Sequence, residues 1–182
     1  MILTYSIEVL LRVKYCGICG SDMHIYEDGH IGSMKVETGK PFILGHESSA
    51  TVLKVGSEVK HLQVGDRVTI EPSIPCRNCD FCLQGSYNLC SESNKYSRGL
   101  PSNNGCMQRY FVHPANFCFK IPENISFEEG ALVEPLSCAL FGVQRTGLKA
   151  GDKVLIVGAG PIGLLSLLCA KAFGADKTCV IG

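Results

Sequence analysis

The sequence predicts a β-rich domain followed by the beginning of an α/β domain. Short strand-like runs, separated by turns with glycine or proline, extend from about residue 7 to residue 120. A glycine-rich turn then joins an apolar run to a helical segment within residues 154–173. With 182 residues, of which 46% are hydrophobic, the chain is long and apolar enough to bury a core.

The β-rich part contains five strand-like runs. Gly56, Gly65, Pro72, Gly105 and Pro114 supply the breaks between them. The runs are EVLLRVKYC, SSATVLKVG, DRVTIEP, MQRYFVH and NFCFKIP. Their shortness and spacing are typical of a barrel or a sandwich.

The pattern becomes helical after residue 125. Ser126 can cap a short helix that has Glu128 and Glu129 in its first turn, and a second helix is predicted over about residues 136–146. Residues 154–157 form an apolar run typical of a strand buried on both faces of a parallel sheet, residues 164–173 are helical, and TCVIG begins another strand. We therefore place the domains at residues 1–135 and 136–182.

Composition argues against several classes of protein. Seventeen basic and seventeen acidic side chains cancel, so nucleic acid is not an expected partner. The apolar N-terminal stretch is interrupted by Ser6, Glu8 and Arg12 and lacks the order of a secretory signal. Gly-Ala-Gly-Pro interrupts the one segment that approaches membrane-spanning length, so no span is predicted. We expect a cytoplasmic protein whose eleven cysteines are metal-bound or buried thiols.

Four cysteines lie close together at Cys76, Cys79, Cys82 and Cys90. Four thiolates in tight loops can surround one Zn²⁺ tetrahedrally and leave no position for water or substrate. The spacing therefore predicts a structural zinc site. The alternative is a set of free or disulfide-linked thiols.

A second group combines different donors. Cys19, His46 and Glu47 offer a thiolate, an imidazole and a carboxylate, which would leave one metal position open. Neither CGICG nor GHE is specific by itself. Cys16 forms a Cys-x-x-Cys with Cys19, but no thioredoxin-like pattern surrounds the pair, so Cys16 is predicted to be a buried strand residue.

Several segments, taken together and in order, resemble the zinc-dependent medium-chain alcohol dehydrogenases, and within them the sorbitol (polyol) dehydrogenase branch. They are GICGSDMHIY, ILGHESSATVLKVGSEVKHLQVGDRV, the four-cysteine segment, FEEGALVEPLSCAL and VLIVGAGPIG. The resemblance implies a GroES-like catalytic domain followed by a Rossmann-type NAD(P)-binding domain. It also implies that the chain lacks the first hairpin of the former and most of the latter.

The resemblance assigns roles to individual residues. It implies a catalytic zinc at Cys19, His46 and Glu47, with Glu134 beside the metal as a ligand or through a shared water. Ser21 and His24 match a relay that carries the alcohol proton outward. Asp22 is expected to support the loop or a ligand.

One position departs from the pattern of the polyol branch. Members commonly have a tyrosine directly after the relay histidine, whereas this chain has Ile25 there, followed by Tyr26. The resemblance therefore implies a class of enzyme, and the departure at Ile25 bears on the identity of the substrate.

The glycine-rich turn is a candidate cofactor site. Gly158 permits the tight turn, Gly160 lets a pyrophosphate approach the backbone, and Gly163 lets helix and strand approach each other; Ile162 completes the predicted set. NAD-preferring relatives carry an acidic residue at the place that falls on Gly182. A small residue there favours NADP, so the cofactor is expected to be NAD or NADP.

The expected function is hydride transfer between a secondary alcohol of a polyol, such as sorbitol or L-iditol, and NAD(P). Alternatives are another zinc dehydrogenase of the threonine or butanediol type, or a non-enzymatic zinc-binding module. We expect small-molecule polyol and ketose substrates and a homo-oligomer for the full-length form. The 182-residue chain alone is expected to bind zinc without dehydrogenase activity.

Overall fold

The computed structural model describes residues 5–182, so the first four residues of the apolar N-terminal stretch lie outside the described part. The chain divides into two compact units between Ala131 and Leu132. The division predicted after residue 135 falls inside the first helix of the second unit.

The first unit is built on an antiparallel five-stranded sheet. Its strands and a small hairpin are β1 (Glu8–Gly17), β2 (His30–Ile31), β3 (Met34–Lys35), β4 (Glu47–Val55), β5 (Arg67–Ile70), β6 (Tyr110–Pro114) and β7 (Cys118–Lys120). The strand order in the sheet is β6-β1-β4-β5-β7, and β2 pairs with β3. Each of the five predicted runs overlaps one strand of this sheet, which confirms the β-rich prediction.

The sheet encloses the main core. In the β1–β4 pair Leu11 lies opposite Val52, and both side chains are fully buried. Apolar side chains from all five strands and the adjoining loops make up the cluster: Val9, Leu11, Ala50, Val52, Leu62, Val68, Ile70, Cys106, Phe111, Ala115 and Cys118. Burial of this cluster fixes the register of the strands that carry the site described below.

The helices of the first unit are short. They are α1 (Gly20–Asp28), α2 (Asp80–Leu83), α3 (Ser93–Tyr96) and α4 (Phe127–Ala131), with 3-10 turns at Tyr87–Leu89 and Ala115–Phe117. The predicted cap of α4 is present: the Glu129 amide donates to Ser126 Oγ at 3.1 Å, and the Ser126 amide donates to Glu129 Oε2 at 2.7 Å. This reciprocal pair is a capping box.

The second unit contains α5 (Val133–Arg145), β8 (Lys153–Val157), α6 (Pro161–Ala172) and β9 (Lys177–Ile181). Strands β8 and β9 are parallel, with Lys153 opposite Lys177, as the predicted strand–helix–strand unit requires. Within the unit, Ala139 and Val143 of α5 pack with Cys169 of α6.

Three local predictions for the second unit were wrong. Helix α5 begins at Val133 rather than near residue 136, because Pro135 falls in its first turn, where backbone amides have no partner inside the helix. Helix α6 begins at Pro161 rather than at 164 for a similar reason, since proline suits the first helical position. Strand β8 is not buried on both faces: 79% of Val157 is exposed.

Among the residues described, no helix combines the length and the apolar character that crossing a bilayer demands.

Candidate metal centre

The structure brings Cys19, His46 and Glu47 together. Each offers a ligand atom, and these atoms lie within 4.8 Å of one another. Cys19 immediately precedes α1, just beyond the end of β1, while His46 and Glu47 lie at the start of β4. The β1–β4 register places Gly17 opposite Glu47, so strand pairing accounts for the convergence of these distant segments.

Asp22 holds the two ligand segments in place. Its side chain is 1% exposed. Its carboxylate accepts hydrogen bonds from the Cys19 amide at 2.9 Å and from the Gly45 amide at 2.9 Å. The same carboxylate lies 3.5 Å from His46 Nδ1. Such contacts orient metal ligands and fix the tautomer of a histidine.

The electrostatics of His46 follow from this contact. Burial opposes protonation of the imidazole, but hydrogen bonding and attraction to Asp22, with a further contribution from Cys19, outweigh it and raise the pKa of His46 to about 9. Burial works against ionisation of Asp22, yet the contact with His46 and the two amides keep the pKa of Asp22 below its usual value. The chain therefore holds a negative charge directly behind the histidine.

The proposed relay residues lie on α1. Ser21 Oγ is 3.4 Å from His46 Nε2, so the hydroxyl borders the ligand group. The His24 side chain is 69% exposed, and its Nδ1 lies 3.8 Å from Asp28 Oδ2. Asp28 was not among the predicted site residues, although its i,i+4 spacing from His24 would have indicated the contact had α1 been predicted.

The two residues after His24 point in different directions. Ile25 is 4% exposed and belongs to the buried residues of α1, whereas Tyr26 is 76% exposed. Cys16 is in β1 as predicted, but it is half-buried rather than buried. Glu134 lies in the first turn of α5, in the second unit, and its role beside a metal stays a prediction.

The four clustered cysteines also converge. Cys76, Cys79, Cys82 and Cys90 each offer a sulfur, all within 4.8 Å of one another. Cys82 Sγ lies 3.5 Å from Cys79 Sγ and 3.9 Å from Cys76 Sγ. Sulfurs arranged tetrahedrally at about 2.3 Å from one ion would be about 3.8 Å apart, so the donor set fits zinc.

Backbone amides support these sulfurs. The Cys79 amide donates to Cys76 Sγ and the Cys76 amide to Cys90 Sγ, each at 3.3 Å. The backbone amide of Cys82 is the largest cause that lowers the pKa of the Cys79 thiol, to about 6. All eleven cysteines are free, so the disulfide alternative has no support among the described residues.

The glycine-rich turn has the steric features that the sequence predicted. Gly158 has a φ of 111°, which favours glycine. A β-carbon on Gly163 would lie 1.9 Å from the Gly158 carbonyl oxygen, whereas one on Gly160 would meet nothing within 4 Å. Cofactor binding by Gly158, Gly160, Ile162 and Gly163 stays a prediction.

Comparison with known proteins identifies the family. Residues 6–123 match the model of the alcohol dehydrogenase GroES-like domain. The chain is 51% identical to sorbitol dehydrogenase of Bos taurus over 173 residues, which are 95% of this chain and 48% of that protein. It is 49% identical to a probable D-xylulose reductase A of Aspergillus clavatus over 170 residues, which are 93% of this chain and 46% of that protein.

A solved structure gives the same result. A putative zinc-binding dehydrogenase of Sinorhizobium meliloti, bound to NADP, superposes with a TM-score of 0.84 at 35% identity, covering 96% of this chain and 48% of that one. The chain thus spans about half the length of the curated relatives it matches. It belongs to the medium-chain alcohol dehydrogenases that contain a GroES-like domain.

Proposed function

We propose that this chain carries the metal-binding part of an NAD(P)-dependent polyol dehydrogenase, which transfers hydride between a secondary alcohol and the nicotinamide. The observation that carries the proposal is the convergence of Cys19, His46 and Glu47, with ligand atoms within 4.8 Å of one another. Sorbitol dehydrogenase and D-xylulose reductase among the relatives support a polyol or ketose as substrate.

The donor set suits a catalytic zinc site. Three protein donors of mixed type leave a tetrahedral ion one open position, in contrast to the closed four-sulfur set. A zinc ion held there supplies Lewis-acid polarisation of an alcohol or carbonyl oxygen. We assign the catalytic zinc to Cys19, His46 and Glu47 and a structural zinc to the four cysteines. Glu134 is retained beside the catalytic ion, either as a ligand or through a shared water.

The chain's own residues provide the proton path. Ser21 Oγ, which borders His46, is placed to accept the alcohol proton by hydrogen bonding, and exposed His24 is placed to pass a proton to solvent. Asp22 keeps the His46 ring oriented throughout. Gly158, Gly160, Ile162 and Gly163 are assigned to the cofactor pyrophosphate, for which the N-terminus of α6 offers free amides.

The cofactor is assigned no more narrowly than NAD or NADP. The NADP bound to the Sinorhizobium meliloti relative and the small residue Gly182 both favour the phosphorylated form. A cytoplasmic location and a homo-oligomeric full-length form are kept as parts of this proposal.

Metal stoichiometry tests the two-site assignment. After removal of weakly bound metal, elemental mass spectrometry should find two zinc ions per wild-type chain. It should find one zinc ion per chain in Cys19→Ser. A single ion that Cys19→Ser retains would instead support a zinc-binding module without catalysis.

Ligand binding tests the substrate class without requiring turnover. Cobalt placed at the Cys19 site has visible bands that respond to changes in its coordination. Sorbitol and xylitol should perturb these bands at lower concentrations than threonine or 2,3-butanediol. If threonine or 2,3-butanediol perturbed the bands at lower concentrations than the polyols, the result would instead support a threonine or butanediol dehydrogenase.

A further inference from the structure

Two cysteines outside both candidate metal groups lie in contact with each other. Cys16 Sγ and Cys106 Sγ are 3.6 Å apart, although ninety positions separate them in the sequence. Cys16 lies near the end of β1, and Cys106 lies in the loop before β6 and belongs to the main core. A disulfide bond measures about 2.05 Å, so the sulfurs would have to approach by about 1.5 Å.

The surroundings hold the two thiols against the same stretch of backbone. A β-carbon on Gly45 would lie 2.8 Å from Cys16 Sγ. The Cys106 amide donates to the Gly45 carbonyl oxygen at 2.9 Å. Strand pairing fixes Cys16 opposite Ser48, and packing in the core fixes Cys106. The fold therefore holds the two thiols side by side.

The two thiols differ in access. Cys106 is 2% exposed, whereas Cys16 is half-buried. A small oxidant that enters from solvent therefore meets Cys16 first. Cys106 is then a thiol already in contact with the oxidised sulfur.

We propose that Cys16 and Cys106 are an oxidative modification site. Hydrogen peroxide oxidises the two thiols, which become joined in an intramolecular disulfide. The Cys16 sulfur attacks one peroxide oxygen, an S–O bond forms, the O–O bond breaks, and the departing hydroxide takes the thiol proton to become water. The Cys106 sulfur then attacks the sulfenic sulfur, an S–S bond forms, the S–O bond breaks, and the second oxygen leaves with the Cys106 proton as water. Two thiols are oxidised, and one peroxide is reduced to two waters.

The bond would join two segments that border the candidate metal centre. Cys16 lies near the end of β1, three residues before Cys19. The backbone amide of Cys106 donates to the carbonyl oxygen of Gly45, the residue before His46. This cross-link is independent of the dehydrogenase proposal, because neither sulfur belongs to a metal group.

Peptide mapping of the oxidised chain tests the proposal. The zinc-loaded chain is treated with stoichiometric hydrogen peroxide, alkylated and digested with trypsin without reduction. Cleavage after Lys14, Lys35, Arg98 and Arg109 places Cys16 in peptide 15–35 and Cys106 in peptide 99–109. We expect these peptides joined, with a mass two hydrogens below their sum, and separated again by dithiothreitol.

Peptide 15–35 also contains Cys19, so fragment ions must assign the linked sulfur. Cys16→Ser and Cys106→Ser should each reduce the linked pair at least tenfold. Cys118→Ser, which removes another buried thiol of the same core, should leave it unchanged. A wild-type chain that yields overoxidised Cys16 without the linked pair would overturn the proposal, and so would a link that survives in Cys16→Ser. The wild-type measurement decides even where a core variant fails to fold.

Discussion

The carboxylate of Asp22 lies 3.5 Å from Nδ1 of His46 and is almost completely buried. The same carboxylate accepts amide hydrogen bonds from Cys19 and Gly45, so one side chain fixes both segments that supply the candidate ligands. A buried negative charge behind an imidazole strengthens it as a donor and orients its other nitrogen. The geometry of the metal centre is therefore expected to depend on a residue that is not itself a ligand.

Asp22→Asn tests this dependence. The amide keeps one oxygen acceptor, but it removes the charge and sets an NH₂ group against one of the two backbone amides. We expect metal affinity at the Cys19 site to fall by about 10–100-fold. Competition with a coloured chelator on the cobalt-loaded chain measures it. Glu27→Gln, which removes an exposed acid from the same helix, is the matched control; equal losses in both variants would contradict the prediction.

The segment that contains the four clustered cysteines, residues 76–90, should become disordered when its metal is lost, while the sheet remains folded. None of its cysteines belongs to the main core cluster. Metal binding at such sites supplies on the order of 10–16 kcal/mol in small zinc peptides. Cys79→Ser should therefore lose one zinc and expose Arg77 and Lys95 to trypsin at least tenfold faster than the zinc-loaded wild type.

The control for this experiment is Cys179→Ser, which removes an exposed thiol from the second unit. Protection of the amides of β1 and β4 from hydrogen exchange reports on the sheet. Loss of that protection in Cys79→Ser would show that the segment and the sheet unfold as one, against our expectation.

Local pattern was enough to predict most of the sheet and the four-cysteine group. The strand-like run EVLLRVKYC became β1, and the tight spacing of the four cysteines restricts them to one small volume. Helix α1 was not predicted, because it is short and begins with Gly20, Ser21 and Asp22, which have low helix propensity.

Contacts between distant segments were beyond the reach of local pattern. The association of Cys19 with His46 and Glu47 was predicted from the resemblance alone. Its physical cause is the β1–β4 register, which local pattern does not reveal. The contact between Cys16 and Cys106 had no signal in the sequence, because ninety residues separate them. The exposure of β8 depends on what covers the sheet, which an apolar run does not encode.

Buried His113 should make stability fall in mild acid. Its side chain is fully buried, Nε2 donates to the Glu71 carbonyl oxygen at 2.8 Å, and burial is the largest cause that lowers its pKa to about 3. In the unfolded chain a histidine has a pKa of about 6.5, so as the pH falls the unfolded state takes up a proton at this side chain before the folded state does. Stability is therefore fully present above about pH 6.5 and falls as the pH drops from there towards 3.

Between pH 7 and pH 5 this histidine alone should cost about 2 kcal/mol of unfolding free energy. His113→Gln can retain the donor to Glu71 and removes the titration, so its stability should fall by about 2 kcal/mol less over the same range. Urea unfolding at several pH values measures the difference. His30→Gln, at an exposed position, should keep the wild-type slope. An unchanged slope in His113→Gln would show that another group is responsible.

Gly163→Ala should destabilise the second unit without affecting the first. The new β-carbon would lie 1.9 Å from the Gly158 carbonyl oxygen, which is backbone and cannot rotate away. The turn and the first part of α6 must shift, at a cost of about 1–3 kcal/mol. Gly160→Ala is the matched control, because its β-carbon meets nothing within 4 Å and its φ is −73°.

Two signals separate the units in this experiment. All six tyrosines lie at or before residue 110, so tyrosine fluorescence reports on the first unit. Helices α5 and α6 are the longest in the described chain, so helical circular dichroism reports mainly on the second unit. The dichroism transition should move to lower urea in Gly163→Ala while the fluorescence transition stays in place. If Gly160→Ala moved the dichroism transition equally, the close approach at Gly163 would not be the cause of the loss.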